Sequence, residues 1–90
     1  MDNIRIAEID GLKVKIDTAK TGSWAAFKLL KKAREATDEL EQFAALVELV
    51  EYATDASEEK VVKHLGGDNA PMLEVVGLMA KIASECYPKN

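Results

Sequence analysis

The chain has 90 residues, one Cys, one His and a formal net charge of −4. One Cys excludes an internal disulfide, and one Cys with one His cannot supply the four N/S ligands of a structural zinc. Apolar residues at 48 % with charged residues at 31 % exclude a disordered chain, and no apolar run approaches a membrane span.

The length predicts a single domain over 1–90, of class α+β, with an N-terminal β-hairpin packed on a bundle of about four helices. The hairpin is predicted over about 3–17. Ile4, Ile6, Leu12, Val14 and Ile16 alternate with polar neighbours around Asp10-Gly11, a favoured turn pair. Two registers are open. A two-residue turn pairs Ile9 with Leu12 and sets Arg5 beside Ile16. A three-residue loop with a bulge at Gly11 pairs Ile6 with Val14 and Ile4 with Ile16. The second keeps these Ile and Val side chains on one face and is the expected one.

Thr18 to Gly22 reads as a polar linker. Ser23 caps a helix over about 24–36, with Ala26, Phe27, Leu29, Leu30 and Ala33 on one broad face. Lys28, Lys31 and Lys32 lie on the other. Thr37 or Asp38 caps a helix over about 38–53, whose stripe is Leu40, Phe43, Ala44, Val47 and Val50. Ser57 opens a short helix over about 58–65, which Gly66-Gly67 ends.

Asp68 or Asn69 is expected to cap a last helix over about 70–86, with Pro71 in its first turn. Its apolar arc (Met72, Leu73, Val75, Val76, Met79, Ala80, Ile82, Ala83, Cys86) covers half the circumference. That is wider than the stripe of a surface helix. Glu74, Lys81 and Glu85 form a polar stripe, joined by Leu78. Gly77 in the middle suggests close approach by another backbone.

The charge is unevenly placed. Residues 21–36 hold Lys28, Lys31, Lys32 and Arg34 against Glu35, net +3. Residues 37–59 hold eight acids (Asp38, Glu39, Glu41, Glu48, Glu51, Asp55, Glu58, Glu59) and no base. Such blocks fit either neighbouring helices with complementary solvated faces or a head-to-tail contact between copies.

No catalytic constellation stands out. His64 has no Ser, Asp or Cys at a catalytic spacing, and Cys86 falls on an apolar side. Gly66-Gly67-Asp68-Asn69 lacks the spacing and the Lys-Ser/Thr of a phosphate loop. The chain is expected to be no enzyme and to need no cofactor or metal. The third helix, the Gly-Gly turn and the fourth helix outline a helix-turn-helix, so a small DNA-associated regulator is the alternative reading. Against it, the last helix offers only Lys81 to a duplex, and the acidic run would repel one. No nucleic acid and no membrane are therefore expected as partners.

The order of parts resembles a family. Glu8-Ile9-Asp10-Gly11, a second strand ending at Asp17, and Ser23-Trp24-Ala25-Ala26-Phe27-Lys28-Leu29-Leu30 opening a helix are similar to the small tail assembly chaperones of long-tailed bacteriophages and prophages. Members show a D-G hairpin and then a D/S-W-x-x-F-x-x-L helix start. An acidic, leucine-rich helix, a short helix ending near His-Leu, and a Gly-Asp turn follow, matched here by His64-Leu65-Gly66-Gly67-Asp68. The resemblance covers roughly residues 4–86.

The resemblance implies a non-catalytic protein of the bacterial host cytoplasm. It would bind the tape measure protein, keep it soluble, help recruit tail tube protein, and leave before the virion is complete. It also implies self-association and, in many members, a longer product made by a translational frameshift. The terminal Lys89-Asn90 can be encoded by a slippery A-AAA-AAC run. The expected contact groups, read from pattern alone, are the basic face (Lys28, Lys31, Lys32), the acidic face (Glu41, Glu48, Glu51) and the apolar arc around Met72 and Met79.

Overall fold

A computed structural model describes residues 3–88, so Met1, Asp2 and the Lys89-Asn90 end lie outside the described residues. It is α+β: a two-stranded antiparallel hairpin, β1 (Ile4–Ile9) and β2 (Leu12–Asp17), precedes the helices. These are α1 (Thr18–Thr21), α2 (Trp24–Glu35), α3 (Glu39–Ala53), α4 (Glu58–His64) and α5 (Met72–Cys86), with a 3-10 turn at Gly67–Asn69.

The hairpin takes the register that the sequence pattern ranked second. Ile9 pairs with Leu12, Ala7 with Val14 and Arg5 with Ile16. Asp10 (φ 51°) and Gly11 (φ 82°) both adopt positive φ, as a two-residue type I′ turn requires. The expected bulged register would have placed Glu8 on the buried face near the turn. In the observed one the charged residue on that face is Arg5, at the open end of the ribbon. It is long enough to reach the Glu85 carboxylate, at 3.5 Å, and to donate to the Glu85 carbonyl. Ile4 and Ile6 consequently face solvent, 47 % and 61 % exposed.

Ala7, Ile9, Leu12, Val14 and Ile16 form the buried face of the hairpin. They pack with Val47 and Val50 of α3, Val61 of α4, and Val75, Leu78, Met79, Ile82 and Cys86 of α5. The segment after α3 closes the free edge of β2. Ile16 bridges Thr54, the Asp55 N–H donates to the Lys15 carbonyl (3.1 Å), and the Lys15 N–H donates to Asp55 Oδ1 (2.8 Å).

The helix starts follow side-chain capping. Ser23 accepts from the Ala26 N–H, Asp38 from the Leu40 N–H and Ser57 from the Lys60 N–H. The stretch read as a linker contains the single turn α1, because Asp17 accepts from the Ala19 and Lys20 N–H groups. Gly66 (φ 115°) ends α4 in the left-handed conformation that a Cβ disfavours. Asp68 and Asn69 do not cap α5. They sit in the 3-10 turn, and α5 begins after Pro71 without a side-chain cap.

Two expectations for α5 are corrected. Leu78 is buried rather than part of the polar stripe, because it faces the hairpin side of the core. Gly77 meets no close backbone: a Cβ built there finds no outside atom within 4 Å. The wide arc itself is only partly covered, since Met72 and Leu73 are 68 % and 80 % exposed.

Candidate protein-binding surface

Helix α2 stands beside the main core rather than in it. It packs chiefly on α3 and on the short α1. Ala26 is its one buried residue, while Ala45, Leu49 and Ala53 are buried on α3 outside the central cluster. Small side chains allow the two helices to approach closely along that line. Beyond it, the broad apolar face of α2 is open. Phe27 is 47 % exposed, and Leu29, Leu30 and Ala33 are half-buried.

Trp24 is 72 % exposed at the first turn of α2. Its ring stacks on Phe27, three residues on, with centroids 4.9 Å apart and planes at 27°. Phe27 in turn lines a groove of about 640 Å³ with Leu30, Lys31, Ala33, Arg34 and Gln42. On helical geometry Trp24, Phe27, Lys31 and Arg34 follow one stripe, so the aromatic pair and two cations share a flank. Trp24 and Arg34 were absent from the expected contact groups. The aromatic pair at i, i+3 was the available signal.

The expected contact residues divide. Lys28, Lys31 and Lys32 are exposed on α2, and Glu41, Glu48 and Glu51 on α3. Part of the charge opposition is satisfied within the chain, since Lys32 Nζ lies 3.3 Å from Glu48 Oε1. Glu51 Oε2 accepts from the Glu58 N–H at 2.8 Å and so supports the start of α4. Met72 is open to solvent. Met79 is fully buried, so it fills the core and offers no surface to a partner.

The remaining chemistry is quiet. Burial pushes the Cys86 thiol up, away from a nucleophilic thiolate. Among the described residues no group of three His, Cys, Asp or Glu side chains could hold a metal ion. No described helix is long and apolar enough to cross a membrane. In the α4–turn–α5 unit, Lys81 is held by Asp10 Oδ2 at 2.8 Å, and the exposed start of α5 carries Met72, Leu73 and Glu74. That face presents no array of base-reading or phosphate-binding side chains.

No protein-family model, curated protein or solved structure matches the chain.

Proposed function

We propose that this chain is a tail assembly chaperone of a long-tailed bacteriophage or prophage, acting in the host cytoplasm. In this reading it binds the tape measure protein, keeps its apolar helical stretches soluble, and helps bring tail tube protein to it. The observation that supports the reading is the open aromatic face of α2. Trp24, Phe27 and Leu30 are the W-x-x-F-x-x-L residues of the resemblance, and none of them is buried. Apolar side chains that served only to fold the chain would be expected in the core. These side chains line or flank a surface groove instead. An exposed apolar groove between two helices fits the common mode in which an amphipathic helix lays its apolar face into a cleft. Self-association belongs to the same proposal, through surface outside the α2 groove.

Co-expression with a tape measure protein, followed by fractionation and pull-down, tests this. The expected result is a tape measure protein that becomes soluble and co-purifies, with both effects reduced by Trp24→Ser plus Phe27→Ser. A tape measure protein equally insoluble with and without the chain overturns the reading.

A further inference from the structure

The groove on α2 is charged on one flank only. Lys31 and Arg34 line it one helical turn apart, and Lys28 stands nearby on the same helix. Among the described residues none of these three forms an ion pair, whereas Lys32, off the groove, is paired with Glu48. The floor between them is apolar, from Phe27, Leu30 and Ala33, and Trp24 extends it at one end. The site thus offers desolvation along its length and uncompensated positive charge along an edge.

We infer that the groove takes an amphipathic helix whose apolar face is flanked by acidic residues. This rests on the protein-binding reading above and names the chemistry of the partner segment. Apolar side chains of the incoming helix cover Phe27, Leu30 and Trp24. Its carboxylates meet Lys31 and Arg34, the latter with a planar fork suited to two parallel hydrogen bonds. A nucleic acid fits less well. A duplex has no apolar face to cover Phe27, Leu30 and Ala33, and its phosphates need a longer track of positive charge than Lys28, Lys31 and Arg34 supply.

The test uses the full chain and two synthetic helical peptides. Both carry leucines on one face, flanked by glutamates in one peptide and by lysines in the other. Trp24 is the single Trp and reports directly, since it stacks on a groove residue. The glutamate peptide is expected to blue-shift Trp24 emission and to bind about tenfold more tightly than the lysine peptide at low salt, the scale of a few exposed ion pairs. High salt should narrow the gap. Lys31→Glu with Arg34→Glu should reverse the preference, and the remote Lys63→Glu should leave it unchanged.

Equal binding of the two peptides, or binding of neither, overturns the inference. So does a DNA duplex that competes with the glutamate peptide. A dimer of the free chain that Lys31→Glu with Arg34→Glu dissociates also overturns it, by giving the groove to a second copy. Its failure and that of the chaperone reading separate cleanly. A solubilised tape measure protein with no peptide preference removes only the groove chemistry. A clear peptide preference with an insoluble tape measure protein removes only the chaperone reading.

Discussion

The Nε2 of His64 lies 3.0 Å from the carbonyl oxygen of Asp10, 54 residues away in the chain. The same Asp10 accepts from Lys81 through its carboxylate. The hairpin turn is therefore fastened to the end of α4 and to the outer side of α5. The only histidine of the chain has a structural task, donating to a carbonyl that the tight turn leaves pointing outward. His64→Ala should lower stability by about 0.5–1.5 kcal/mol, the usual worth of one such hydrogen bond. Urea unfolding followed by circular dichroism measures it.

The turn itself depends on Gly11. At φ 82° a side chain is strained, and a Cβ there would lie 3.8 Å from the His64 ring, in ordinary contact. Conformation rather than space is the penalty. Gly11→Ala should destabilise by about 1–2 kcal/mol, and Gly11→Asn by less, because Asn tolerates the left-handed region. Comparing the two in thermal unfolding separates strain from crowding.

Gly77 should behave in the opposite way. It sits inside α5 at ordinary helical φ with open space where its Cβ would be. Gly77→Ala is expected to stabilise the fold by roughly 0.5–1 kcal/mol, through helix propensity and a less disordered unfolded chain. A rise in melting temperature checks this.

Two methionines of one helix should respond differently. Met79 is fully buried among hairpin and helix side chains, so Met79→Ala should cost about 2–5 kcal/mol. Met72 is 68 % exposed, and Met72→Ser should stay within about 0.5 kcal/mol of the parent. Denaturant midpoints decide both.

Asp55 gives a pH dependence. Partial burial raises its carboxyl, but the Lys15 N–H and the Lys60 ammonium outweigh that and hold it below the ordinary carboxylate value. With the folded value below the unfolded one, the unfolded chain binds more protons in acid. The contribution is thus complete above the ordinary carboxylate range and is lost as pH falls through the lowered value. Asp55→Asn should be less stable than the parent at neutral pH, and the difference should close in strong acid. Urea titrations across that range would show it. A difference independent of pH would remove the ionised carboxylate as the cause.

Local chemistry was legible along most of the chain. Ser23, Asp38 and Ser57 announce helix starts, since a short oxygen-bearing side chain before an amphipathic run meets the unsatisfied N–H groups. Gly66 announces an end by the same local logic. The α2 face was legible as apolar but not as open, because periodicity says which side chains share a face and nothing about what covers it. The acidic block was legible too, while its uses were not. Glu48 neutralises a lysine of the neighbouring helix and Glu51 supports the next one, pairings that depend on where the helices cross.

The sequence by itself determined the two strands, the four longer helices, the caps of three of them, and the opposition of a basic α2 to an acidic α3. Those follow from interactions among residues a few positions apart. Tertiary structure decided the hairpin register, because two alternations were available and the helices cover the face of Ala7, Ile9, Leu12, Val14 and Ile16, with Arg5 at its open end reaching Glu85 across 80 residues. It also decided which half of the α5 arc is covered, burying Met79 and leaving Met72 outside. It set α2 on the flank of the core, with Trp24 and Phe27 open to solvent. A core closes with whatever apolar surface the packed elements need, and only the assembled fold reveals which surface is left over.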